Sequence, residues 1–152
     1  MSEMKRIHSQ LRRAWEGEAW HGPSVKEVLD GVIAAQAAKR PLSGAHTIWE
    51  LVLHIERWAR AVREALSGTP MPQPPFPEDW PAVGGASDND WVAALAALER
   101  THTSLLETVK SFPEERLHET VPGRDYGFYF LLHGLAQHDV YHAGQIALLK
   151  KL

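Results

Sequence analysis

Apolar residues recur three and four positions apart along nearly the whole chain, and no stretch keeps up a period of two. The pattern predicts helices and no sheet. Met4, Ile7, Leu11, Ala14 and Trp15 form a first amphipathic run, interrupted by Gly17 and by Gly22 and Pro23. Ser24 stands three residues before Glu27, the spacing of a capping box. A short second segment, 24–38, then carries Val25, Val28, Leu29, Val32 and Ile33 and ends before Pro41. Thr47 and Glu50 repeat the capping spacing and open a helix predicted at about 47–67. A further helix starts at Ser87, with Asp90 three residues on. It carries Trp91, Leu95, Leu98, Leu105 and Val109 as far as Pro113. After a polar, glycine-bearing connection, the last helix runs from about Phe128 to Lys151, where Lys150 and Lys151 suit the negative end of the helix dipole. The expected fold is all-α, a four-helix bundle with one additional short helix near the N-terminus.

Residues 68–86 break the helical pattern. Pro70, Pro72, Pro74, Pro75, Pro77 and Pro81, with Gly84 and Gly85, exclude a helix or a central strand. Long connections of this kind are spacers or functional loops. Phe76 and Trp80 give this one apolar side chains that could pack over the bundle as a lid.

Composition narrows the class without naming a chemistry. A chain of 152 residues suits one domain, 1–152, with its own core. Its formal charge of -3 offers no general attraction to nucleic acid or an anionic membrane. No run approaches the roughly 20 apolar residues needed to span a bilayer. The charged N-terminal stretch does not read as a signal peptide. With no cysteine, disulfides are impossible, a cytoplasmic setting is expected, and a transition-metal site would have to use nitrogen or oxygen ligands.

Nine histidines therefore become the side chains to follow. On the last helix, Phe128, Leu131, Leu132, Leu135, His138, His142, Ile146 and Leu149 fall on one inward stripe. Residues four apart stack on a helix with about 5–6 Å between Cβ atoms, so two imidazoles there can converge on one ion. The other reading is a pair of core histidines, which would each need partners for both ring nitrogens. His54 lies at the margin of the apolar face bearing Leu51, Trp58 and Ala61, where it can turn towards the bundle axis. Three imidazoles would leave one or two coordination positions open, as reactive metal sites do. His102 shares the stripe of Leu98 and Leu105 and is either a fourth ligand or a core histidine bonded to a neighbour. His8 is a weaker case of the same kind, and His133 lies off the stripe. His21, His46 and His118 fall in or beside connections, as surface or capping residues.

These residues resemble a known family. The segment His138-Asp139-Val140-Tyr141-His142-Ala143-Gly144-Gln145-Ile146 is similar to the C-terminal H-x-x-x-H-x-G-Q-I signature of the DinB-like, or YfiT-like, superfamily of bacterial metalloenzymes. Thr47-Ile48-Trp49-Glu50-Leu51-Val52-Leu53-His54-Ile55 resembles its second-helix motif, and Trp20-His21-Gly22-Pro23-Ser24 resembles one branch. The resemblance implies an up-down-down-up bundle, a homodimer, and one divalent ion, nickel or zinc, on His54, His138 and His142. His46 departs from several relatives, which carry tryptophan there.

Two function classes follow. In the first, the chain is an enzyme whose metal activates water or a low-molecular-weight thiol, as similar members do in hydrolase-like reactions or in transfers of bacillithiol or mycothiol to a small-molecule substrate. Glu50, one turn before His54, is then a general base or an outer partner of a ligand, or else simply the cap paired with Thr47. Gln145, one turn beyond His142, could reach substrate or water, or pack. In the second, the chain is a non-catalytic dimeric module whose metal site is structural or vestigial. No basic stripe points to DNA.

Overall fold

A computed structural model describes residues 2–73 and 79–152, and among these the regular structure is helical. Helix α1 spans Glu3–Glu16, α2 Val25–Leu29, α3 Ala34–Ala37, α4 Ile48–Leu66, α5 Asp88–Ser111 and α6 Phe128–Leu149. A 3₁₀ turn, Glu114–His118, and an isolated bridge between Thr120 and Gly127 occupy the connection before α6. Among the described residues no helix is long and apolar enough to cross a membrane.

The starts are set by the predicted caps. Ser24, Thr47 and Ser87 each accept the backbone N–H three residues on, while Glu27, Glu50 and Asp90 reach back to the cap's own N–H. The expected 24–38 segment is divided in two. Asp30 adopts extended backbone and Gly31 a left-handed φ of 73°, so the chain turns before α3 and leaves Ile33 exposed. Trp91 fastens this region to α5 by donating its indole N–H to Val32 O at 2.8 Å.

Side-chain pairs fix the helix directions. Trp49 meets Trp91, Glu56 meets Thr101 and Arg63 meets Ser104, so α4 and α5 run parallel. Trp15 stacks on His102 while the backbone of Met4 reaches Glu114, so α1 runs against α5. Leu51 shares a groove with Leu148, and Val62 one with Leu131, so α4 and α6 are antiparallel. Glu3 approaches His133 and Arg13 lies beside Val140, so α1 and α6 run together. The order along α1, α4, α5 and α6 is up-down-down-up.

A parallel α4–α5 pair needs a connection as long as the bundle, and residues 67–87 supply it. Its first part packs against the connection before α6. Met71 is buried and its N–H donates to Pro122 O at 2.8 Å, and Arg124 donates to Pro72 O. Gly123 permits this approach: at a φ of 80°, a Cβ there would lie 3.1 Å from Met71 O. Pro74, Pro75, Phe76 and Pro77 lie outside the described residues, so only the Trp80 half of the expected lid can be placed. That half folds back onto α4 and α6.

Candidate metal centre

Helix α6 brings His138 and His142 to the same face one turn apart, with ring centroids 4.4 Å from each other. Across the antiparallel seam, α4 presents His54, whose ring lies 5.0 Å from His138 and 4.8 Å from His142. His142 is 5% exposed and His54 6%, while His138 is half-buried at the mouth. One ring nitrogen from each residue falls within 4.8 Å of the others. The Nε2 atoms of His54 and His138 are 3.1 Å apart.

The other nitrogen of every ring faces an oxygen. His54 Nδ1–H donates to the backbone carbonyl of Asp79 at 2.6 Å, and His142 Nδ1–H donates to Gln145 Oε1 at 2.6 Å. His138 Nδ1 faces Asp139 Oδ1 at 3.5 Å. A carbonyl oxygen can only accept, so the proton sits on Nδ1 and the Nε2 lone pair is left facing inward. The Nε2 lone pairs of His54 and His142, with a ring nitrogen of His138 beside them, give a cation three nitrogen donors. This is the arrangement by which outer partners fix metal-ligating histidines. The donor set, neutral imidazole nitrogen with no sulfur, suits zinc, nickel, copper or iron nearly equally.

Burial, reinforced by the nearby His138 ring, pushes the His142 imidazole down to about 4. The His54 imidazole is also lowered, chiefly by burial, against the opposing Asp79 hydrogen bond. Both rings are therefore neutral, the form a metal requires, throughout the physiological range. Burial alone would raise the Asp139 carboxyl, but its bonds to His102 and His138 together outweigh that and hold it low. A carboxylate 1% exposed thus sits directly behind the histidines.

His102 does not join the three. Its Nε2 faces Asp139 Oδ2 at 3.2 Å, its Nδ1 faces Leu98 O at 3.1 Å, and its ring stacks on Trp15 at 4.0 Å. It is the bonded core histidine of the second reading, one step removed from the site through Asp139. Glu50 is equally occupied. One oxygen accepts from Thr47 N–H at 2.7 Å, the other from Arg40 at 2.6 Å, and His46 lies 3.4 Å away. Burial acts to raise that carboxyl, yet the Thr47 and Arg40 contacts prevail and keep it low. His8 is half-buried on α1, His133 lies beside Tyr129, His118 stacks on Tyr129, and His21 lies on the surface.

Sequence reasoning missed Asp79 and underrated His46. Asp79 holds His54 through its carbonyl, and its carboxylate accepts the Trp58 indole N–H at 2.8 Å. Trp80, the next residue, lies flat on His54 at 3.9 Å, and His46 lies flat on its other face at 3.4 Å. Placed beside a connection, His46 reads as a surface residue, yet it is the outer plate of this stack. Loop residues carry no periodicity, so only the aromatic character of Trp80 hinted at such packing.

Two grooves flank the centre along the α4–α6 seam. One, of about 190 Å³, ends at His138, and another, of about 280 Å³, runs past His46 and Gln145. A further concavity, about 660 Å³, lies between α1 and α6 around the fully exposed Trp20 and is lined by none of the three histidines.

Among the described residues the chain is an up-down-down-up helical bundle whose core seam carries three histidines that could hold a metal ion. A family model described as the DinB superfamily matches residues 20–146, and the chain belongs to that superfamily. No curated protein and no solved structure matched the chain.

Proposed function

We propose that His54, His138 and His142 hold one divalent ion, nickel or zinc, and that the protein is a metal-dependent enzyme using a low-molecular-weight thiol or water. The carrying observation is three ring nitrogens, one from each histidine, within 4.8 Å of one another, with the Nδ1–H groups of His54 and His142 bonded to carbonyl oxygens so that their Nε2 atoms are left as acceptors. Such a metal, when bound, lowers the pKa of a coordinated water or thiol towards neutrality.

The chain's own residues supply the rest. Asp79 and Gln145 fix two ring orientations, Asp139 offsets positive charge behind the cluster, and Trp80 keeps water off one face of His54. His102, the side chain that could have completed a closed four-ligand site, is committed to Asp139 and Leu98, which favours an open position over a purely structural metal. The nearby carboxylates of the described residues are engaged as well: Glu50 with Thr47 and Arg40, Asp79 with Trp58, Asp139 with His102 and His138. A coordinated water and a coordinated thiol would both ionise near neutrality without a protein base, so the site suits hydrolysis and thiol transfer alike. Glu50 belongs to the Thr47–Arg40–His46 framework. A homodimer in the cytoplasm completes the proposal, on the strength of family likeness and of the cysteine-free composition.

The test is elemental analysis of protein purified without a chelating tag, beside His54→Ala and His142→Ala. The expected result is one metal per chain, lost in both variants. Unchanged metal content in either variant would remove that histidine from the site. Sedimentation of the same samples reads the dimer.

A further inference from the structure

The groove that ends at His138 differs in chemistry from the centre it adjoins. Its walls are Trp58 and Val62 of α4 and Leu131 and Leu135 of α6, and among the described residues no arginine, lysine, aspartate or glutamate lines it. Tyr126 and the exposed Phe130 stand at its rim. The imidazole of His138, half-buried at the inner end, belongs at once to the groove and to the metal cluster. One wall is held rigid, because the Trp58 indole N–H is bonded to the Asp79 carboxylate. Gly134 opens the floor: it lines the groove in mid-helix, and a Cβ built there meets no atom within 4 Å.

The size is informative. The groove measures about 190 Å³. An apolar cavity of about 150 Å³ holds one benzene ring, and sites for larger organic ligands start at about 300 Å³. We infer that this groove takes the uncharged apolar part of the substrate, a single aromatic ring or a branched alkyl group of similar size, and directs the adjoining reactive group at His138. Among the described residues, an anionic group finds no lysine or arginine along the walls, and a cationic one finds no carboxylate lining them. A glycine at this position, where leucine would strengthen the helix, keeps the space clear. The inference rests on the proposed metal site only for what meets the reactive group; occupancy of the groove stands apart from it.

Toluene serves as probe, titrated into metal-free wild type and Gly134→Leu while the methyl resonances of Val62, Leu131 and Leu135 are followed. A Cβ at Gly134 meets no atom within 4 Å and leucine favours a helix over glycine, so Gly134→Leu is expected to narrow the groove and keep the fold, as thermal melting will check. Toluene is expected to shift all three sets of methyls in wild type and to bind roughly tenfold more weakly to Gly134→Leu, as burial of a ring in a vacant groove requires. Phe130→Ser, at a rim position 65% exposed, is a second variant and should weaken toluene without disturbing the core. Absence of shifts at those methyls, or equal affinity in wild type and Gly134→Leu, overturns the inference.

A second arm uses the zinc-loaded protein. Benzyl mercaptan is expected to bind about tenfold more tightly than ethanethiol, with the gap closed in Gly134→Leu. Equal affinity of the two thiols in wild type overturns the link between groove and centre. Because the toluene arm needs no metal, a protein that takes up no ion would sink the proposed function and leave the groove result standing.

Discussion

At the scale of residues, the site is decided by which nitrogen of each ring is occupied. His138 and His142 were legible from sequence, since a spacing of four on an apolar stripe forces both rings onto one face. Their outer partners were legible only in part. Asp139 and Gln145 lie in the same motif, but that Gln145 serves His142 rather than a substrate depends on its rotamer. Asp139→Asn and Gln145→Leu should each lower metal affinity by about 10- to 100-fold while the fold persists, as loss of an outer partner does elsewhere; metal competition with a coloured chelator reads this. Asp139→Ala goes further, because it also strips His102 of its buried partner. A loss of about 3 kcal/mol or more in urea unfolding is expected. The His142 imidazole gives a pH signature in the metal-free protein. Its pKa of about 4 in the fold lies below the value of about 6.5 of an unfolded chain. The unfolded state therefore takes up its proton first as pH falls, and stability drops between those two values, with none left to lose from this group below the lower one. Melting of the metal-free protein over that range should show the drop, and His142→Ala should show a shallower one.

At the scale of elements, caps and stripes carried most of the information. Ser24, Thr47 and Ser87 were placed as caps from spacing alone, and each makes the expected reciprocal bonds. Thr47 matters most for the site, because it sets where α4 begins and hence which face His54 presents. Thr47→Ala should cost about 1 kcal/mol in urea unfolding. The division of 24–38 was not anticipated: the apolar spacing is continuous across Asp30 and Gly31, and it is the left-handed φ of Gly31 that turns the chain there. Asp79 and Trp80 were not legible as a clamp, because a proline-rich loop reaches its position through tertiary contacts. Trp80→Ala uncovers one face of His54, and faster removal of metal by a chelator is the expected outcome. An unchanged rate would mean that the stack plays no part in retention.

At the scale of the whole molecule, the topology explains how residues distant in sequence come to meet. The long crossing over 67–87 leaves α4 free to lie antiparallel to α6, and that seam is where His54 finds its partners. Spacing within one helix cannot reveal a neighbour across a seam, so the sequence placed His54 only at the margin of an apolar face and by likeness to a family motif, without showing which helix it meets. Ligand binding to the folded chain alone raises its stability by about 2.7 kcal/mol at a hundredfold excess over Kd. For a domain of this size that corresponds to roughly 5–10 °C in Tm. Nickel or zinc should raise the Tm of wild type by that amount, and His54→Ala should not respond.

X-ray absorption at the metal edge, recorded on protein loaded with one equivalent of zinc or nickel, bears most directly on the central claim. Three imidazole nitrogens at about 2.0–2.1 Å, with one or two lighter non-histidine ligands, is the expected spectrum. A shell with fewer than three imidazoles, or one unchanged by His54→Ala, would contradict it.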